Sequence, residues 1–250
     1  MTDRRDADIA AMSLTEEEKE GLQLYRNYSD AFEKHAIKLF VAEVNGRSID
    51  LSPLDGILSH LCREDVRFLP VLASAFADEQ LEKMFRDEIP DGVPGGKSAL
   101  LGSLGPLSRF SHRIQVAFAF GWCNRDLLLE LNKLRKLRND ISHSWDIAKI
   151  QPKVEEFISR RMHKIEADLV GGMESLPAEW AALHAHGLFR LRLIWLMGRT
   201  FYECCLYVSA LSARITPNLA LYGSAKPDLL GTISAKCRDA TNSIGRATAA

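Results

Sequence analysis

Apolar residues recur every three or four positions along most of this chain, and no segment alternates strictly between apolar and polar residues. Such spacing places the apolar side chains on one face of a helix, and that face must be buried against other helices. No internal repeat is evident. The pattern therefore predicts an all-α fold, a compact bundle of about six to eight helices.

Local signals mark where several of these helices begin and end. Thr15 followed by Glu18 forms a capping box, Pro53 suits a first helical turn, and Pro70 predicts a kink or a break. Gly121 is a natural helix end, and Asn124 is a natural cap for the next helix. The predicted helices span about residues 13–44, from 52 to near 70, 71–89, 107–121, 125–142, 152–169 and 186–214.

Residues 90–106 contain three prolines and five glycines, which predicts a loop. Within it, Gly95-Gly96-Lys97-Ser98 matches part of a phosphate-binding loop. The first glycine of that motif is missing at the required spacing, and no strand pattern precedes the segment. A flexible connector is therefore the favoured interpretation.

The domain organisation follows from these patterns. Residues 1–12 are charged and predict a flexible N-terminus, and residues 13–214 predict a single all-α domain with a short connection at 177–184. Residues 215–250 are rich in Gly, Ser, Thr, Ala and Pro, so we expect a partly disordered tail, most of all from residue 242 onward.

Charge and cysteine content exclude several classes of function. The net charge of −1 gives no overall attraction to nucleic acid or to anionic lipid, so a polyanion would need a local basic patch. The five cysteines are odd in number and show no C-x-x-C spacing, which argues against a zinc site and against a disulfide framework. We expect reduced thiols, no metal and no cofactor.

The most apolar stretch, residues 188–211, is interrupted by Arg190, Arg192, Arg199 and Glu203. A bilayer-spanning helix needs about 20 nearly uncharged residues, so this stretch predicts a buried core helix. The N-terminus has no apolar region typical of a signal peptide. We therefore expect a cytoplasmic protein with no membrane partner.

The run from Lys133 to His143 holds the candidate site. Arg138 precedes His143 by five residues, and Asn139 adds a polar side chain after the arginine. Histidine is suited to general acid–base catalysis near neutral pH, and arginine binds phosphate bidentately and stabilises developing charge. The spacing therefore suits chemistry on a phosphodiester.

Helical geometry limits how the side chains of Arg138 and His143 can act together. Five residues at about 100° each place Arg138 and His143 about 140° apart on a continuous helix. The two side chains converge only if the helix unwinds near Ser142 or if two protomers meet. The hypothesis of a nuclease therefore predicts a homodimer in which both protomers contribute residues to one cleft.

Each candidate residue also has a structural interpretation. Arg138 can pair with Glu130 or Asp140 or cap a neighbouring helix, and a cationic His143 is favoured at a helix C-terminus. Asn139 can satisfy backbone groups in the helix-end turn. Lys133, Arg135 and Lys136 form either a nucleic-acid contact or an ordinary solvated face. Two further cations either extend this basic surface or decorate the helix predicted at 107–121, namely Arg109 and Arg113.

Two stretches resemble known families. The segment Leu101–Gly121, with Gly-Pro-Leu-Ser-Arg-Phe-Ser-His-Arg-Ile at its centre, resembles the signature of the mannitol operon repressor family. The segment Asp126–His143, ending in Leu-Arg-Lys-Leu-Arg-Asn-Asp-Ile-Ser-His, resembles a segment of the same family. The resemblance covers about residues 53–145. It implies a compact all-α fold and a role in transcriptional regulation, although no usual helix-turn-helix and no basic C-terminal arm are present.

The second stretch also resembles the HEPN superfamily, whose ribonucleases carry an arginine and a histidine near a helix end with four to six residues between them, and use the RNA 2′-hydroxyl as the nucleophile without a metal. That resemblance implies Arg138 and His143 as catalytic residues, with Asn139 beside them. Two hypotheses follow. The favoured one is a non-enzymatic regulator of the mannitol-repressor type that acts on DNA or through a protein partner, such as a transcription factor. The alternative is a metal-independent endoribonuclease acting on RNA, a toxin or defence effector whose partner would be an antitoxin.

Overall fold

The computed structural model describes residues 5–143, 147–159, 183, 185–205 and 227–249. The described chain is all-α, with no strand in these ranges, as the sequence predicts. It contains ten helices rather than six to eight, and two of the ten are short helices of four and six residues. The helices are α1 (Ala7–Ala10), α2 (Glu16–Asn45), α3 (Ser52–Arg63), α4 (Leu69–Glu88), α5 (Gly96–Leu101), α6 (Phe110–Phe120), α7 (Arg125–Ser142), α8 (Ile147–Ser159), α9 (Ala185–Cys205) and α10 (Asp228–Ala249).

The helix boundaries follow the local signals in the sequence. Thr15 and Glu18 form the capping box at the start of α2, with the Glu18 carboxylate 2.8 Å from the Thr15 backbone nitrogen. Pro70 lies in the first turn of α4, after the break that follows α3. Gly121 ends α6 with φ 64°, a left-handed conformation that favours glycine. These capping residues fix where the helices begin and end before any packing is considered.

Helix α9 lies at the centre of the bundle. It packs against α4, α10, α3 and α8, and every residue from 191 to 204 is buried. This confirms the prediction of a buried core helix for the described part of that stretch. Among the described residues, no helix is both long enough and apolar enough to cross a membrane. The remaining predictions for this half of the chain, at 160–169, 206–214 and most of 177–184, lie outside the described residues.

Helix α10 is the largest departure from the predicted organisation. The partly disordered tail predicted at 215–250 is replaced at 228–249 by a 22-residue helix that packs against α9 and α3. The buried residues of α10 recur every three or four positions, as in other helices. Several of them are small, so this pattern is hard to recognise in the sequence. They form a stripe that includes Leu230, Ile233, Cys237, Thr241 and Ile244.

Three shorter segments also differ from the prediction. The N-terminus predicted as flexible includes α1, whose Ile9 is fully buried. The loop predicted at 90–106 includes α5, and Lys97 there donates to the Arg86 carbonyl at 2.7 Å and pairs with Asp91 at 2.9 Å. Helix α8 begins at Ile147, five residues before Pro152, so the proline lies inside the helix.

Candidate functional site

Helix α7 carries the candidate residues and runs without interruption from Arg125 to Ser142. Asn124 caps its start, because the side-chain oxygen of Asn124 accepts a hydrogen bond from the Asp126 backbone nitrogen at 2.9 Å. At the other end, His143 donates its backbone N–H to the Asn139 carbonyl at 3.2 Å. The Ser142 hydroxyl donates to the Arg138 carbonyl at 2.8 Å. The helix therefore does not unwind between the candidate arginine and the helix end.

Arg138 lies on the packed face of α7. It continues the stripe of Leu127, Leu131 and Leu134, which are fully buried, and α7 packs against α4. The arginine is half-buried, and its Nε atom is buried without a hydrogen-bond partner. Its charge acts on Asp78 of α4, where burial raises the pKa of the carboxyl while the Arg113 and Arg138 guanidinium groups oppose that rise.

The two carboxylates predicted as structural partners of Arg138 are engaged elsewhere. Glu130 is buried and lies 2.5 Å from the Lys133 Nζ atom and 3.4 Å from the Arg192 guanidinium. Asp140 forms an ion pair with Lys153 of α8 at 2.7 Å. The predicted pairing of Arg138 with either of them is therefore not made.

His143 lies on a different side of α7 from Arg138. It is exposed, and it shares a stripe with Lys136 and Asp140, which lie seven and three residues before it. Asn139 is half-buried and contributes its backbone carbonyl to the helix-end turn. With the helix intact, Arg138 and His143 point about 140° apart. A single chain therefore does not bring the two side chains to one reacting atom.

The predicted basic patch is divided between two grooves. Lys133 and Lys136 line a groove of about 390 Å³ between α7 and α8. Arg135 lines a second groove, of about 220 Å³, between α6 and α7, and its guanidinium donates to Asn132 at 3.1 and 3.2 Å. The three cations therefore do not present one continuous surface to a polyanion.

The groove between α7 and α8 has both signs of charge on its walls. Lys153 and Glu156 of α8 face Lys133, Lys136 and Asp140 of α7 across it, with the Lys153–Asp140 ion pair joining the two walls. Sequence patterns alone do not assign these α8 residues to a site. Their three-residue spacing on a predicted helix is the available signal, but only packing places that helix beside α7.

The last two predicted basic residues differ in their accessibility. Arg109 lies at the N-cap position of α6 and is exposed. Arg113 is buried, with its guanidinium 2.5 Å from Asp78 and 2.7 Å from Glu82 of α4. The prediction of a nucleic-acid contact at Arg113 is therefore replaced by a structural role, in which two carboxylates hold its charge between α4 and α6.

A second group of charged residues lies inside the bundle. Arg199 and Glu203 of α9 are fully buried and pair at 2.8 Å, and Glu203 also accepts the Asn124 backbone N–H at 2.8 Å. Burial raises the pKa of the Glu203 carboxyl against the opposing effect of Arg199. The five cysteines are free, and the described residues contain no group of His, Cys, Asp and Glu that could hold a metal ion.

Comparison with protein-family models, with curated proteins and with solved structures found no match to this chain. The resemblances to the mannitol operon repressor family and to the HEPN superfamily therefore remain predictions from the sequence motifs.

Proposed function

We propose that this protein is a non-enzymatic regulator of the mannitol-repressor type, which acts in transcriptional repression directly or through a protein partner. The observation that carries the proposal is the groove between α7 and α8, where lysines and carboxylates alternate. Such a surface complements a protein segment with charges of both signs, and it attracts a uniform polyanion only weakly. We therefore favour repression through a protein partner, such as a transcription factor.

Two further features favour a protein partner, the first over catalysis and the second over direct contact with DNA. Arg138 and His143 diverge on an intact helix, and several candidate cations are used within the chain. A cation that already has a carboxylate partner contributes less to the neutralisation of phosphates. Direct contact with DNA would rest mainly on Lys136 and Arg109, for which no carboxylate partner is seen among the described residues.

Two measurements test this proposal together, namely the occupancy of promoters in chromatin and the copurification of a protein partner. Tagged wild-type protein should be enriched at discrete promoters and should retain a transcription factor through a salt wash. Lys136→Glu, which reverses a charge in the groove, should reduce both signals about tenfold. Arg109→Glu is the matched control, since it reverses a charge on α6 outside the groove and should leave partner capture unchanged. No promoter enrichment together with no copurifying factor would contradict the proposal.

A second candidate is a HEPN-type, metal-independent endoribonuclease that uses Arg138, His143 and Asn139. The observation that favours it is the combination of an unpartnered Arg138 Nε atom with an exposed His143. Because the two side chains diverge on one helix, this activity requires a cleft shared by two protomers. The substrate of this enzyme would be RNA rather than DNA, and its protein partner would be an antitoxin.

Cleavage of single-stranded RNA in EDTA tests the second candidate. Wild-type protein should cleave, and His143→Ala should reduce the rate by at least about 100-fold. His60→Ala is the matched control, because His60 is also an exposed histidine near the end of a helix. Intact RNA with the wild-type protein, or equal cleavage by both variants, would exclude this activity.

A further inference from the structure

The two sides of helix α2 have opposite character. On one side, Gln23 and Arg26 bind α1, with the Gln23 side chain accepting the Asp6 backbone N–H at 2.8 Å and Arg26 pairing with Asp6 at 2.9 Å. Farther along the same side, Phe40 and Val44 are buried in the core. Intramolecular packing therefore uses one side of this 30-residue helix.

The other side of α2 carries large apolar residues that are exposed. Tyr25, Tyr28 and Phe32 are 70%, 73% and 66% exposed, and Leu24 and Leu39 are at least half exposed. On a helical projection these residues lie away from the side that holds Arg26, Phe40 and Val44. Neither α1 nor the described body of the protein therefore covers them.

The spacing of this exposed stripe is that of a coiled coil. Tyr25, Tyr28, Phe32 and Leu39 are separated by three, four and seven residues, which places them at positions a, d, a and a of a heptad repeat. His35 and Ala42 occupy the two d positions that complete the pattern. Apolar a and d positions form a seam that another helix covers.

We propose that this seam is a dimerisation surface, on which α2 pairs in parallel and in register with α2 of a second copy of the chain. Charge complementarity argues for a second copy. In this arrangement Lys38, at position g, lies beside Glu43, at position e, of the other helix, and the two-fold symmetry forms this pair twice. The chain thus supplies both members of each ion pair across its own seam, and Glu43 also lies 4.0 Å from Arg47 of its own chain, a long and exposed contact.

The antiparallel arrangement lacks this complementarity. When the same apolar layers are paired with the helices reversed, Lys38 lies beside Ala31 and Glu43 lies beside Leu22. Neither of these charges then meets an opposite charge along the seam. His35, at a d position, further favours pairing in register, because a single polar residue in the seam is best accommodated opposite its own counterpart.

The exposed area is sufficient for a modest dimer. Three aromatic and two leucine side chains at this exposure offer about 600 Å² of apolar surface per chain. Two copies would bury up to about 1,200 Å², which is at the lower end of specific protein interfaces. A patch of this size is also at the upper limit of what monomers leave in water. The dimer does not depend on the proposed regulatory function.

Sedimentation equilibrium of the full chain over a wide range of concentrations tests the proposal. The wild-type protein should sediment as a dimer that dissociates on dilution. Phe32→Glu should abolish dimerisation, since it places two carboxylates in the apolar seam, while circular dichroism should remain that of the wild type. Lys34→Glu is the matched control, because Lys34 is exposed on α2 outside the seam and the variant should dimerise normally.

The charge pair gives the second half of the test. Lys38→Glu should weaken dimerisation about tenfold, because two attractive pairs become repulsive. The double variant Lys38→Glu, Glu43→Lys should restore dimerisation to within about threefold of the wild type. A monomeric wild type, or a Phe32→Glu variant that dimerises normally, would overturn the proposal. Loss of the dimer by Phe32→Glu without any effect of Lys38→Glu would overturn the parallel arrangement.

Discussion

Helices α9 and α2 reverse the usual distribution of charged and apolar residues. Helix α9 is buried on all sides over residues 191–204, yet this stretch includes Arg192, Arg199 and Glu203. Helix α2 is exposed over most of its length, yet it carries Tyr25 and Phe32 on its solvent side. The two helices show that composition alone does not decide whether a helix is in the core.

The difference lies in whether each side chain finds a partner within the chain. Arg192 reaches Glu130 of α7 at 3.4 Å and lies over the Phe157 ring at 5.1 Å, and Arg199 pairs with Glu203 on its own helix. A buried charge is tolerated when it is paired in this way. The α2 seam has no such intramolecular cover among the described residues, so we infer that its partner is another chain.

The largest expected effect compares two phenylalanines. Phe201 of α9 is buried and stacks on Phe76 with ring centroids 6.5 Å apart, so Phe201→Ala should lower the free energy of unfolding by about 3–5 kcal/mol. Phe32→Ala should lower it by less than about 0.5 kcal/mol when measured at dilutions that keep the protein monomeric. Urea unfolding measures both. Equal losses would mean that α2 is packed within the chain, against this comparison.

The next effect concerns the buried ion pair. Glu203→Leu leaves the Arg199 cation and the Asn124 backbone N–H without their acceptor, and should lower the free energy of unfolding by about 3 kcal/mol. The double variant Arg199→Met, Glu203→Leu removes both charges and should recover most of that loss. Chemical denaturation of both variants measures the effect. A double variant less stable than Glu203→Leu would show that the pair stabilises the core in its own right.

A smaller effect compares two glycines in the helices of the core. A Cβ atom at Gly198 of α9 would lie 2.4 Å from the Cys237 sulfur, so Gly198→Ala should lower the free energy of unfolding by about 1–3 kcal/mol. Gly231→Ala is the control on α10, where a Cβ atom meets nothing within 4 Å. Thermal unfolding should show a lower midpoint for the first variant and an unchanged or higher midpoint for the second. Equal midpoints would contradict the close packing of α9 on α10.

The smallest effect is expected on α2. A Cβ atom added at Gly21 of this helix would meet nothing within 4 Å, so Gly21→Ala should stabilise the helix by up to about 1 kcal/mol. Hydrogen exchange of the α2 amides should slow, while exchange in α9 should not change. Slower exchange across both helices would indicate that α2 and α9 unfold as one unit, which the limited packing of α2 argues against.

Local signals predict the start and end of several helices but not their environment. The capping box at Thr15 and the cap at Asn124 depend on residues within one turn, so the sequence is sufficient to identify them. Helix α10 escapes prediction because its stripe includes small and polar residues, one of which packs closely against Gly198 of α9. That contact joins residues far apart in the chain, and no local pattern reports it.

In the candidate site too, some features follow from local sequence and others depend on how the helices pack. The divergence of Arg138 and His143 follows from helical geometry, so the sequence already imposes it as a condition on any site that uses both residues. The burial of Arg113 between Asp78 and Glu82 depends on the packing of α6 against α4. A one-turn spacing of two arginines cannot distinguish a solvated surface from an interhelical ion pair.

Cross-linking through the α2 seam tests the central claim most directly. In the parallel dimer, Tyr28 lies beside Tyr28 of the second copy at a d position, within disulfide distance. Tyr28→Cys should therefore form a covalent dimer under mild oxidation, while Lys34→Cys on the same helix and the wild-type protein with its five native cysteines should not. A Tyr28→Cys variant that cross-links no more than Lys34→Cys would contradict the account.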